Sequence, residues 1–84
     1  MAAVLVTYVT DAENPAINIR IATDEVGGVN LSAAWSAVAR YWGLAREMVT
    51  AKYDGSEFYE VETRRVLAHV RQATLQIAFD TSTH

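Results

Sequence analysis

Cysteine is absent from the 84-residue chain, which excludes disulfide staples, thiolate zinc sites and cysteine nucleophiles and leaves packing or association to supply stability. Proline occurs once and glycine four times, too few for a linker. The chain therefore reads as a single domain over residues 1–84, with 79–84 the end of a last strand and a polar tail expected to fray. No apolar run approaches the roughly 20 residues of a membrane span, and Met1–Val9 lacks the basic stretch of a signal peptide. The expectation is a soluble, intracellular, cytoplasmic protein without membrane contact. Basic residues are also short: seven Lys and Arg stand against ten Asp and Glu, for a net charge of −3. That balance lacks the broad positive footprint of a nucleic-acid binder.

Apolar residues make up 51% of the sequence, fourteen of them alanine. The remaining larger side chains suffice for one small core in a domain whose buried fraction is modest by virtue of its size. The acidic excess is local. Asp11, Glu13, Asp24 and Glu25 face Arg20 alone in residues 1–30, whereas six acids and six bases balance over 31–84. Glu57, Glu60 and Glu62 directly precede Arg64, Arg65, His69 and Arg71, so an acidic segment abuts a basic one.

Over Ala3–Thr10 both alternating faces are largely apolar, the pattern of an interior strand. A turn is expected at Asn14-Pro15, followed by a half-buried strand in which Ile17, Ile19 and Ile21 alternate with polar neighbours. The two strands suggest an antiparallel hairpin. Gly27-Gly28 breaks the chain, Asn30 suits a helix N-cap and Gly43 a C-terminal cap. Between them Leu31, Trp35, Val38 and Trp42 form one stripe at helical spacing. Val49, Ala51 and Tyr53 then alternate up to Asp54-Gly55, a pair suited to a type I′ hairpin turn, and Phe58–Glu62 resumes extended character. From residue 64 the pattern forks: Val66, Leu67, Val70 and Thr74 fit a short helix, but the stretch also fits a strand. Leu75, Ile77 and Phe79 mark a last strand.

The fold class is thus α+β, a small antiparallel sheet with one main helix (31–42) packed on one face. If residues 64–72 are helical, the elements follow the ferredoxin-like order with an extra N-terminal strand, the favoured alternative. If they are extended, the order is a ββαβββ, β-grasp-like meander.

Residue patterns for catalytic and ligand chemistry are largely missing from the chain. Gly27-Gly28 before the helix has no GxGxxG or GK[ST] context, and Asp24 and Glu25 beside it would repel a phosphate. His69 and His84 lack metal-ligand spacing, and no serine lies in a nucleophile turn. No catalytic residue, metal or cofactor is expected. Glu60 and Glu62 fit a solvated strand face better than an acid-base pair.

The leading expectation is a non-catalytic protein-interaction module: an accessory or assembly subunit, or a phage-type inhibitor, binding another protein or itself, with a homodimer as one option. Its candidate contacts are the acidic residues Asp11, Glu13, Asp24 and Glu25 and the aromatics Tyr41, Tyr53 and Tyr59. One alternative is a cofactor-free enzyme or small-ligand binder with His69, Tyr8, Tyr53 and Trp35 lining a pocket. A weaker one is nucleic-acid binding through Lys52, Arg64, Arg65 and Arg71, with the arginines forming a helical face and otherwise pairing with the preceding glutamates.

Overall fold

The computed structural model describes residues 2–24, 27–52 and 54–77. Strands β1 (Ala2–Asp11) and β2 (Asn18–Ile21) precede helix α1 (Leu31–Trp42), and strands β3 (Val49–Ala51), β4 (Glu57–Glu60) and β5 (Val66–Ile77) follow it. All strand pairs are antiparallel, in the spatial order β2-β1-β5-β4-β3, with α1 on one face. The α+β class and the main helix are as the sequence predicts. The fork at 64–72 resolves to strand, so the element order is ββαβββ and the second helix of the ferredoxin-like alternative is absent. Among the described residues no helix is long and apolar enough to cross a membrane.

Both ends of α1 are closed by the residues expected. The Asn30 side chain accepts from the Ala33 amide at 3.1 Å, satisfying one of the helix's orphan donors. At the other end Gly43, with φ 67°, takes the left-handed conformation, and the amides of Gly43 and Leu44 return to the carbonyls of Arg40 and Ala39. This is the Schellman arrangement, which requires a residue without a Cβ penalty.

The helix buries a narrower stripe than predicted. Ala34, Val38 and Ala39 are fully covered, together with Val9, Val49, Phe58, Leu67 and Ala68 from the sheet. Alanines let the helix approach the sheet closely, and the two indoles flank the contact instead of filling it. Trp35 meets Phe58 edge-on with ring centroids 5.8 Å apart, and Trp42 donates its ring N–H to the Leu67 carbonyl at 3.1 Å. Leu31 lies in the first turn beside Gly55 and stays 42% exposed.

β5 carries a bulge that explains the ambiguity at 64–72. Phe58 pairs with Ala68, yet the next residue, Tyr59, pairs with Val66, so Leu67 is an extra residue without a partner. Leu67 and Ala68 are adjacent but both buried, at 1% and 2% exposure. Two consecutive inward residues break the period of two, and the resulting spacing of Val66, Leu67, Val70 and Thr74 imitates a helix.

The β3–β4 hairpin forms as expected but not through a type I′ turn. The Gly55 amide donates to the Lys52 carbonyl and the Lys52 amide to the Glu57 carbonyl, both at 2.8 Å. Gly55 is left-handed, whereas Asp54 is not, and a type I′ turn needs both. Asp54 instead accepts from the Ser56 amide and hydroxyl.

β1 and β5 pair over ten positions, from Ala2 opposite Ile77 to Asp11 opposite Ala68. Their neighbours are shorter: β2 covers only Thr7–Thr10, and β4 with Ser56 reaches no further than Val70. Among the described residues the five pairs from Ala2–Ile77 to Val6–Ala73 therefore form a two-stranded arm about 17 Å long. At its base Thr23 and Gly27 lie against the helix-side face. There Thr7 is fully buried, its hydroxyl 3.0 Å from that of Thr23, and Gln72 donates to both Thr7 and the Gly27 carbonyl.

Candidate functional site

Three segments meet at the end of the sheet opposite the arm: the β1–β2 turn, the last turn of α1, and the turn at 61–65. Asp11 closes β1, and its Oδ1 accepts from the amides of Glu13 (2.7 Å) and Asn14 (3.3 Å), which folds the chain back towards β2. Asp11 Oδ2 accepts from the Tyr41 hydroxyl at 2.6 Å. Arg65 lies with its guanidinium carbon 4.5 Å from the Trp42 ring centroid and donates to Glu13 Oε2 at 3.1 Å. Tyr41 and Trp42 meet edge to face at 5.5 Å. Arg64 holds a left-handed φ of 61°, the only described non-glycine residue to do so. Its amide donates to the Glu60 carbonyl, and the Glu60 amide to the Arg65 carbonyl, so the turn is pinned on both sides of the strained residue.

The electrostatics follow from these bonds. The Tyr41 hydroxyl, then the Glu13 and Asn14 amides and the charge of Arg65, hold the Asp11 carboxyl below the usual range. The same bond to Asp11 raises Tyr41 above the usual phenol value. Asp54 is likewise lowered, chiefly by the Ser56 hydroxyl and amide.

The predicted contact residues are divided among different places. Asp11 is buried at 8% exposure, and Glu13 is engaged by Arg65, so the two acids serve the chain's own end cluster. Asp24 lies in the 22–29 segment, where its carboxylate accepts from the Gly28 amide. Glu25 and Tyr53 lie outside the described residues. Tyr41 is 40% exposed beside Asp11. Tyr59 sits half-buried on β4, between Thr50 and Val66.

The basic residues form no common stripe. Arg64 and Arg65 occupy the end cluster, Lys52 the β3–β4 loop, and Arg71 lies on β5 opposite Tyr8. The helical face that the sequence allows for the arginines does not form, because β5 is extended. Arg65 pairs with Glu13, not with Glu57, Glu60 or Glu62. Nor do Tyr8, His69 and Trp35 line one pocket. Tyr8 and His69 share the sheet face away from the helix, as their register with Arg71 and Thr10 shows, whereas Trp35 packs on the helix side against Phe58. His69 Nδ1 lies 3.6 Å from Glu57 Oε2 across β4. No group of three His, Cys, Asp or Glu side chains among the described residues could hold a metal ion.

The arm is the feature that sequence reasoning missed. Apolar residues on both faces of β1 predict an interior strand, which holds for Val6–Thr10 in burial but not for Val4 and Leu5. Val4 is 37%, Leu5 40% and Leu75 41% exposed, with Val4 directly opposite Leu75 on one face and Leu5 on the other. The signal that could have found it is strand length: the neighbouring hydrophobic segments are too short to flank all of Ala2–Thr10. The chain matches no family model, no curated protein and no solved structure.

Proposed function

We propose that this protein is a non-catalytic interaction module that associates through its β1–β5 arm, with a second copy of the chain as partner. The observation that carries this reading is the five-pair ribbon, which no third named strand flanks among the described residues, although the Thr23 hydroxyl reaches the Leu5 carbonyl at its base, and which exposes apolar side chains on both faces. A two-stranded ribbon is marginal in water, and three or more strands with a covered apolar face are needed for stability. Both outer edges are templates for another strand. The β1 edge favours a like strand, because Ala2–Thr10 contains no charged residue and no proline. Two such edges related by a two-fold axis bring no like charges together. An accessory or assembly role accords with this arrangement. The inhibitor variant through the acidic hairpin draws less support, since Asp11 and Glu13 are already engaged within the chain.

The test is the mass of the native protein in solution by light scattering across a micromolar concentration range, compared with Val4→Lys and Leu75→Lys. A dimer or higher assembly that both substitutions convert to a folded monomer supports the reading. A native chain that stays monomeric throughout, or an assembly indifferent to both changes, overturns it.

A further inference from the structure

The outer side of β2 faces a groove of about 430 Å3 bounded by α1. Ile19 and Ile21 form one wall, and Ala33 and Ala37, one helical turn apart, form the other. The two small alanines keep the groove open where larger residues would close it. Arg20 and Arg40 stand on its rim, Tyr41 closes one end, and no carboxylate among the described residues lines it. Both arginines are exposed, and neither has an ion-pair partner among the described residues.

The backbone of β2 completes the site. The Asp11 amide donates to the Ile17 carbonyl, and the register continues Val9 to Ile19 and Thr7 to Ile21. In an antiparallel ladder hydrogen-bonded pairs alternate with non-bonded ones. The amides and carbonyls of Ile19 and Ile21 therefore point to β1, and those of Asn18 and Arg20 point outward. An incoming strand would meet unpaired backbone groups at Asn18 and Arg20, an apolar floor on the helix side, and cationic side chains at the rim.

We propose that this groove binds an extended peptide segment of a partner protein by strand addition to β2, the segment alternating small apolar residues with Asp or Glu. Backbone pairing supplies the affinity and the alternate side chains supply the selection. Apolar residues of the segment lie over Ile19, Ile21, Ala33 and Ala37, and its carboxylates, on the opposite face, lie beside Arg20, with the positive charge of Arg40 across the groove adding to the attraction. Charge decides against a second copy here. Antiparallel pairing of two β2 edges sets Arg20 opposite or close to its own counterpart, and facing like charges destabilise a strand pair. The site is separate from the arm and does not depend on the arm's reading.

The probe is a blocked Val-Glu-Val-Glu-Val peptide, titrated into isotope-labelled protein and followed by amide chemical shifts, with a Val-Lys-Val-Lys-Val control. The expected result is a saturable shift centred on Asn18–Ile21 and Ala33–Arg40 that the lysine peptide does not produce. Charge reversal by Arg20→Glu with Arg40→Glu, both at exposed positions, is expected to weaken binding about tenfold as rim attractions become repulsions, and to favour the lysine peptide. The titration is repeated on Leu75→Lys, so that failure of the arm reading and failure of this one are distinguished. No shift at millimolar peptide, shifts confined to the arm, or equal binding of both peptides would overturn the proposal.

Discussion

The Tyr41 hydroxyl donates to the Asp11 carboxylate at 2.6 Å, tying the last turn of the helix to the end of the first strand across a sequence separation of thirty residues. The bond links the two layers of the fold at the end remote from the arm. It also couples the fold to pH, since each partner is bound in one protonation state.

The folded-state pKa of Asp11 is depressed, so its contribution is present above the ordinary carboxylate value and is lost as pH falls through the depressed one. That of Tyr41 is raised, so its contribution is present below the ordinary phenol value and is lost as pH rises through the raised one. Urea midpoints are therefore expected to be highest at mid-pH and to fall on both the acid and the alkaline side. Tyr41→Phe is expected to lower the mid-pH plateau and flatten the alkaline limb. Part of the acid limb will remain, because Asp54 is also depressed by Ser56. Identical limbs in the variant would show that the bond carries no linkage.

Arg65 makes two contacts of unequal worth. Its ion pair with Glu13 joins side chains that are 45% and 59% exposed, and such pairs contribute about 0–1 kcal/mol. Its position over Trp42 is worth about 0.5–1 kcal/mol at an exposed site. Glu13→Gln is expected to leave the urea midpoint nearly unchanged, whereas Arg65→Ala lowers it and alters Trp42 fluorescence. A larger loss from Glu13→Gln would reverse that ranking.

Gly43 ends the helix with φ 67°, and a Cβ there would meet no atom within 4 Å. Any cost of Gly43→Ala is then conformational, about 1–2 kcal/mol for an L-residue in the left-handed region. Gly43→Asn should lose less, since asparagine tolerates that region better. Equilibrium denaturation of the two variants tests the order.

Phe58 is wholly buried beneath the helix and meets the edge of Trp35. Phe58→Ala is expected to cost about 3–5 kcal/mol, a large share of what a domain of this size has available. Loss of the cooperative thermal transition, followed by circular dichroism, is the expected readout. A native-like transition would mean that the helix and sheet can close over the cavity.

Much of the fold was legible because its signals are local. Asn30 and Gly43 bracket the helix by properties of single residues, and the alternation of Ile17, Ile19 and Ile21 needs only its own strand. β5 was not legible, because the Leu67 bulge shifts its phase and reveals itself only through pairing with Phe58 and Tyr59. The turn at Asp54 differs from expectation because the Asp54 side chain takes up Ser56 instead of leaving the backbone to adopt a type I′ geometry. The end cluster was half visible. Asp11, Glu13 and Tyr41 were singled out, but for contact with a partner, and nothing in a linear string places Arg65 on Trp42.

Ala2 and Ile77 face each other at the tip of the arm, which fixes how the molecule responds to a load. Tension applied between those two residues acts across the ladder and not along it, so bonds break one rung at a time, as in a zipper. The rupture runs from Ala2–Ile77 towards Asp11–Ala68, and the five rungs of the arm open before the helix-covered body bears any strain.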